Sequence, residues 1–267
     1  MTDALQRRDI ALVPARNPGP FTLTGTNTWI VGRDPCWIVD PGPALDEHVA
    51  AVLAEADLRG GIGGIALTHD HGDHADAAPP VLEAAGAGAS VGAARWPGAG
   101  VRLADGDVFG PLRVVATPGH ATDHLAFVAG DACFTGDAVL AQSSVFVAPD
   151  PGALRGYLAA LERLRRMDLA LLCTGHGPPV TNPSALLERY IAHRADRERR
   201  LLEALGDGLR GSDELLDRVW DDAPASLRLA ATATLAAHLG KLDEEGRLPA
   251  DVRRPRWPPP GGLRPVV

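Results

Sequence analysis

The sequence predicts a layered α/β domain followed by a small helical, winged-helix-like appendage. Three observations carry that reading. Short β-rich runs alternate with helical apolar periodicity through residues 1–180. Four of those runs end on a histidine or aspartate inside a glycine-containing turn, at His69, His120, Asp137 and His176. After Pro179 the pattern turns helical. Interleaved strands and helices bury their apolar faces with sheets inside and helices outside. A chain of 267 residues has room for one large domain and a small one. The expected division is 1–180, 181–253 and a Pro/Gly-rich tail over 254–267.

Residues 1–20 are polar and broken by Pro14, Pro18 and Pro20, which argues against regular structure there. Phe21-Thr22-Leu23 and Thr28-Trp29-Ile30-Val31 are rich in β-formers, and Cys36-Trp37-Ile38-Val39 follows the turn at Gly32 to Pro35. That strand closes on Asp40-Pro41-Gly42, a carboxylate at a strand end. From Asp46 to Leu58, Val49, Val52, Leu53 and Ala56 recur at helical spacing until Gly60-Gly61. A short helix is expected from about Pro79 to Ala85, and strands around Val91, Val108, Leu112–Ala116, Leu125–Val128 and Ala132–Thr135. Leu154, Leu158, Leu161 and Leu164 mark a helix before the apolar run Leu169–Cys173. Asn182 caps and Pro183 opens a long helix through Leu205. Its Arg194, Arg197, Arg199 and Arg200, interleaved with Asp196 and Glu198, read as a solvated face. Ser212 is placed as the cap of the next helix, and Ala231, Leu235, Leu239 and Leu242 form one stripe on a third. Gly246, Leu248 and Val252 suggest a short hairpin or wing.

Composition narrows the function classes. No run approaches the roughly 20 apolar residues of a membrane span, and the residues after Arg7 and Arg8 make no signal-peptide core. Cys36, Cys133 and Cys173 are an odd number in separate apolar stretches, hence buried thiols. The cytoplasm is the expected location. Residues 1–180 hold 12 Arg against 20 Asp/Glu, a net of −8, and residues 181–267 hold 14 of each sign, a net of zero. That is not the basic footprint of a general nucleic-acid binder, and DNA is disfavoured.

The chemistry concentrates in Thr68-His69-Asp70-His71-Gly72-Asp73-His74. Alternation along an extended backbone would put His69 and His71 on one side, with Asp73 and His74 opening the next turn. One histidine pair and one Asp/His pair could then serve two neighbouring metal ions. Six of the nine histidines fall in such motifs: His69, His71, His74, His120, His124 and His176. His48, His193 and His238 stand alone and read as structural.

H-x-H-x-D-H, P-G-H, T-G-D and G-H-G, in that order, resemble the metallo-β-lactamase superfamily over at least residues 21–180. The resemblance implies an αββα sandwich. It also implies that His69, His71 and His120 hold one metal, that Asp73, His74 and His176 hold the second, and that Asp137 bridges them. An aspartate at that bridging position separates the chain from true β-lactamases, so antibiotic hydrolysis is disfavoured. Imidazole and carboxylate ligands favour two zinc ions, with iron or manganese also able to occupy such a site. A hydroxide shared by two cations is available near neutral pH, since zinc lowers the pKa of a bound water to about 7. The candidate catalytic residues are Asp73, His124 and Asp40. Asp40 would orient a ligating histidine, the plain alternative being a turn-capping aspartate. His124 would orient the site or donate a proton to substrate, with structural support as the plainer option.

Asn17 to Thr28, Pro118 to His124, Tyr190 to Glu198 and His238 to Gly246 resemble the lactamase-like protein 2 family, winged-helix-like domain included. That family implies cleavage of single-stranded RNA, and its relatives include thioester hydrolases. The acidic catalytic half and the single lysine, Lys241, count against RNA, and Tyr190, Trp220 and Trp257 are too few for a base-stacking platform. A small acyl thioester or ester is the competing substrate. A non-enzymatic binding module at residues 181–253 is the third reading.

Overall fold

The β-rich runs assemble into two sheets whose apolar faces meet. The computed structural model describes residues 2–255. The first sheet holds six strands in sequence order: β1 (Ile10–Pro14), β2 (Asn27–Val31), β3 (Cys36–Val39), β4 (Ile62–Ala66), β5 (Val91–Ala93) and β6 (Val101–Arg102). The first three are antiparallel, and β3 to β6 run parallel. The second sheet holds β7 (Val108–Phe109), β8 (Leu112–Ala116), β9 (Leu125–Ala129), β10 (Ala132–Gly136) and β11 (Leu171–Thr174), with β11 at one edge and β7 at the other. Only its β10–β11 pair is parallel, as a helical crossover requires.

Helices cover both outer faces. On the first sheet, α2 (Asp46–Asp57) and α4 (Ala78–Ala85) bury Val52, Ala56 and Val81 against Ile30, Ile38 and Ile65. On the second, α5 (Ala153–Arg165) and α6 (Pro183–Gly206) bury Leu154, Tyr157, Leu161 and Leu187 against Val115, Ala126, Cys133 and Leu172. Between the sheets, Trp29, Val31 and Val39 meet Val114, Phe127 and Phe134. The central strands are therefore covered on both faces, and β2 and β10 are buried at every position. Each fully buried Leu, Ile or Phe here contributes about 1.5–3 kcal/mol. The architecture is the αββα sandwich. Two short helices complete this part, α1 (Thr2–Gln6) and α3 (Gly72–Ala75).

Helix α6 is shared between two cores. Its first half joins the sandwich, while Leu201, Ala204 and Leu205 pack with α7 (Ser212–Val219) and α8 (Arg228–Glu244) around Leu215, Trp220, Leu235 and Leu239. Asn182 caps α6 by accepting from the Ala185 amide, as its sequence implies.

Several expectations are corrected. Residues 2–14 form α1 and the edge strand β1, because pairing with β2 supplies the backbone partners that a polar, proline-bearing segment does not advertise. Phe21 to Leu23 form a turn, closed by Thr22 Oγ1 donating to Asn17 O at 2.6 Å and the Gly25 amide donating to Thr22 O at 2.8 Å. The cap of α7 is Gly211, whose amide donates to Glu214 Oε2; Ser212 is already helical. No strand is assigned over 246–255: Leu248 and Val252 pack on the small core, and one backbone bond, Arg253 amide to Arg210 O at 2.8 Å, ties the segment back. Arg194 and Arg197 are 2% and 6% exposed, so that side of α6 is not solvated. Trp257 and most of the 254–267 tail lie outside the described residues. All three cysteines are free and buried, and among the described residues no helix is long and apolar enough to cross a membrane.

Candidate metal centre

The functional side chains gather where strands of both sheets end. Thr68 to His74 follow β4 and run into α3; His120 and His124 lie between β8 and β9; Asp137 follows β10; His176 follows β11. Backbone bonds hold these ends together: the Leu125 amide donates to Thr68 O at 2.7 Å, and the Gly175 amide to Gly136 O at 3.0 Å. Two glycines make the approach possible. A Cβ on Gly175 would sit 2.6 Å from Asp137 Oδ1 and 2.8 Å from His74 Cε1. Gly136 adopts φ +44°, and a Cβ there would meet Thr68 Oγ1 at 2.5 Å.

Seven donors converge. His69 Nε2 and His120 Nε2 lie 3.0 and 3.1 Å from His71 Nδ1, so three imidazole nitrogens face one point. Beside them, Asp73 Oδ2 is 3.4 Å from both His74 Nε2 and His176 Nε2. Asp137 lies between the two sets. Its Oδ2 is 3.5 Å from His120 Nε2, and its Oδ1 is 3.5 Å from His74 Nε2 and 3.3 Å from His176 Nε2. The chain thus brings together all seven residues expected to ligate.

The donor set fits divalent metal. His74 Nε2 and Asp137 Oδ1 are buried and have no hydrogen-bond partner, a costly state unless a cation takes them. Charge tells the same story. Burial acts to lower His74, but Asp73, Asp137 and Asp40 outweigh it and push its pKa up to about 10. Burial and the neighbouring imidazoles hold His69 well below its ordinary value, and burial brings His120 down to about 4 against the pull of Asp137. One half of the site therefore offers neutral nitrogen lone pairs, while the other demands positive charge. A divalent ion in each satisfies both.

Neighbouring groups fix the ligand orientations. Asp40, held at φ 52° after β3, accepts from the Thr68 amide at 2.8 Å, Thr68 Oγ1 at 2.7 Å and His74 Nδ1 at 2.9 Å. The bond to His74 Nδ1 leaves that ring's Nε2 facing the other donors. Thr68 Oγ1 also contacts His69 Nδ1 at 2.9 Å, which sets that ring the same way. His124 Nε2 accepts from the Asp137 amide at 3.1 Å and its Nδ1 bonds Thr117 Oγ1 at 2.8 Å. With both nitrogens engaged and 1% exposure, its geometry favours orienting the site over donating a proton to substrate. Sequence reasoning missed Thr68, Thr117, Thr26, whose Oγ1 donates to Asp73 Oδ2 at 3.0 Å, and Asn17, which brackets Thr26 through two bonds. The available signal was the Asn17–Thr28 run itself. His48 bonds Thr28 and Pro41 away from the cluster, and His193 and His238 lie on α6 and α8.

A cleft of about 320 Å³ opens onto His71 and His120. Its walls carry Phe146, three carboxylates (Asp70, Asp123, Asp150) and one guanidinium, Arg95. Burial and the nearby Asp70 carboxylate raise the Asp123 pKa.

Residues 92–176 match the family description "Metallo-beta-lactamase superfamily", and residues 212–257 match "Beta-lactamase associated winged helix domain". The chain is 29% identical over 266 residues to the beta-lactamase-like protein 2 homolog of Caenorhabditis elegans, covering 92% of this chain and 86% of that one. It is 32% identical over 281 residues to the lactamase-like protein aptB of Emericella nidulans, covering 96% and 88%. It is 36% identical over 208 residues to the atrochrysone carboxyl ACP thioesterase of Aspergillus chevalieri, covering 73% and 65%. A metallo-beta-lactamase family protein from Thermus thermophilus superposes with a TM-score of 0.73 at 25% identity, over 89% of this chain and 94% of that one. Fold, donor set and relatives agree: the chain belongs to the metallo-β-lactamase superfamily, among the members that carry the associated winged-helix domain.

Proposed function

We propose that this metal-dependent hydrolase cleaves a thioester or ester of a small acyl group, with two zinc ions as its metals. The observation that carries the substrate class is the charge of the cleft: three carboxylates and one guanidinium stand around the approach to His71 and His120. A polyanion such as single-stranded RNA would meet that field along its backbone, whereas an acyl chain is indifferent to it and can lie against Phe146. The kinship with a protein named as a thioesterase supports the same reading. Two further features weigh against RNA or DNA. Tyr190 and Trp220 are 3% and 7% exposed, so neither offers a stacking face. Several C-terminal arginines are matched with acids, Arg197 to Asp222, Arg199 to Asp196 and Glu203, Arg200 to Asp221, and Arg228 to Asp217.

His69, His71 and His120 would hold one zinc; Asp73, His74 and His176 the other; Asp137 would touch both. Iron or manganese suits the same donors. Bound there, the metals supply Lewis acidity and bring the pKa of a coordinated water to about 7. The protein's own contribution is orientation. Asp40 and Thr68 keep His74 and His69 in the tautomers that present Nε2, and His124 pins the backbone of Asp137. Phe146, its ring centroid 4.5 Å from that of His120, shields the imidazole from water. A thiol leaving group, with a pKa of about 8.5, departs without a dedicated proton donor, which suits a site whose His124 is fully engaged.

The test is direct. Zinc-loaded protein is offered N-acetylcysteamine thioesters of graded chain length and, separately, a single-stranded RNA oligomer. Thioester turnover with intact RNA is expected; RNA cleavage without thioester turnover would overturn the substrate assignment.

A further inference from the structure

The segment between Asp137 and α5 has no regular structure, yet it builds one wall of the cleft through Phe146, Ala148 and Asp150. Val145 and Val147 are 5% and 0% exposed and sit in the core beneath, so the residue between them is turned the other way. That residue is Phe146, which packs on His120.

The backbone groups on either side of Phe146 are taken by the C-terminal helices. Arg194 Nη2 on α6 donates to Val145 O. The Val147 amide donates to Thr234 Oγ1 on α8 at 3.3 Å, and that hydroxyl donates in turn to Ala230 O at 3.0 Å. Tyr190, also on α6, accepts from the Leu140 amide at 3.0 Å, and its hydroxyl reaches Leu140 O and Ser143 O at 3.1 and 3.3 Å. On the cleft side, the Ala148 amide donates to Gly119 O at 2.8 Å, next to His120. Arg194 is 2% exposed and stacks over Tyr157, 5.5 Å from the ring centroid. Burying a guanidinium is unfavourable unless its donors are used; this one spends Nη2 on the cleft segment, while its buried Nε has no partner. Thr234, likewise 2% exposed, spends both its donor and its acceptor.

We propose that Arg194 and Thr234 are positioning residues that hold Phe146 against His120, so that the C-terminal helices set the width of the acyl end of the cleft. The proposal rests on the acyl-substrate reading above. It gives the winged-helix part of the chain a role in substrate selection without any contact between that part and substrate.

Thr234→Val keeps the side-chain shape and removes the acceptor for the Val147 amide. Arg194→Lys keeps the charge and removes the planar donor. Two readouts are taken on metal-loaded protein. The first is backbone hydrogen exchange. The lost hydrogen bond should speed exchange across 140–148 by about fivefold, with β9 and β10 unchanged. The second is a double-mutant cycle with Phe146→Ala on long and short acyl thioesters. Thr234→Val should raise KM for the long substrate by about the same factor with kcat nearly constant, and should add little once Phe146 is gone. Unchanged exchange at 140–148, or a full effect of Thr234→Val in the Phe146→Ala background, would overturn the proposal. Exchange is read whether or not a thioester turns over. A failed substrate assignment would therefore show as accelerated local exchange with no turnover, and is distinguishable from a failed positioning role. Should Arg194→Lys fold poorly, Thr234→Val alone decides.

Discussion

Replacing Asp40 by asparagine changes one atom and should loosen the metal site by a calculable amount. The carboxylate accepts three bonds, from the Thr68 amide at Oδ1 and from Thr68 Oγ1 and His74 Nδ1 at Oδ2. Asparagine has one acceptor oxygen and one NH₂. With its oxygen in the Oδ2 position, the NH₂ faces the Thr68 amide, donor against donor, at a contact that is now 2.8 Å. With its oxygen in the Oδ1 position, the NH₂ faces His74 Nδ1, which must give up its proton to accept. The proton then sits on Nε2, where the metal lone pair is needed. The first orientation leaves a buried donor unsatisfied, at about 1–3 kcal/mol. The second weakens the metal, and loss of such an orienting partner typically costs about 10–100-fold in affinity, or about 1.4–2.7 kcal/mol. Chelator competition on Asp40→Asn, with zinc as the probe and thermal melts at each zinc concentration, reads both. Affinity and apo stability both equal to those of the parent protein would show that Asp40 merely caps a turn.

Three further substitutions probe separate parts of the structure. Gly175→Ala would place a methyl 2.6 Å from Asp137 Oδ1 and 2.8 Å from His74 Cε1; it should strip at least one metal while the fold survives, at about 1–3 kcal/mol of overpacking. Full metal content by mass spectrometry would contradict that. His238 is buried with neither ring nitrogen bonded, and burial, aided by Arg194 and Lys241, brings its pKa down to about 3. Because the folded value lies below the unfolded one, the unfolded chain binds the extra proton, and stability drains as pH falls below about 6.5. By pH 5 the loss is about 2 kcal/mol; His238→Leu should abolish that share in urea denaturation at pH 7 and 5, and an identical pH dependence would refute it. Arg197→Met removes a two-pronged bond to Asp222 at 2.9 Å and a donor to Val219 O at 2.8 Å. Asp222 is 61% exposed, so the ion pair itself contributes under about 1 kcal/mol; the orphaned carbonyl brings the total to about 1–3 kcal/mol. Lysine should not restore it, lacking the planar fork, and an unchanged denaturation midpoint would sink the claim.

What could be read from the chain follows from where the physics is local. Strands such as β2 and β10 were legible because they are covered on both faces and carry the apolar cores Trp29-Ile30-Val31 and Ala132-Cys133-Phe134. The seven donors were legible because each sits one to eight residues beyond a strand end, in a segment that holds a glycine. Groups acting through a long-range contact were not. Thr68 lies inside the motif, yet nothing local says that its hydroxyl joins Asp40 to His69. Arg194 and Arg197 share a helical stripe with Tyr190, Leu201 and Ala204; alternating acids made that stripe look solvated, and partners from elsewhere in the chain, Val145 O, Val219 O and Asp222, explain its burial. Strand β1 is only partly buried, so its alternation is weak and its pairing with β2 is a tertiary fact. The expected hairpin is absent over 246–255 for the converse reason: β-capable Leu248 and Val252 serve the small core from a segment without strand pairing.

A two-metal centre with Asp137 between its halves is the proposal on which the rest depends. Its most direct test is the number of metal ions bound per chain, measured by plasma mass spectrometry after zinc loading and desalting, for the parent protein and for Asp137→Ala. The expected result is two in the parent protein and one or fewer in the variant, with the variant's fold intact by circular dichroism. A parent protein that saturates at one ion, or a variant that retains two, would contradict it.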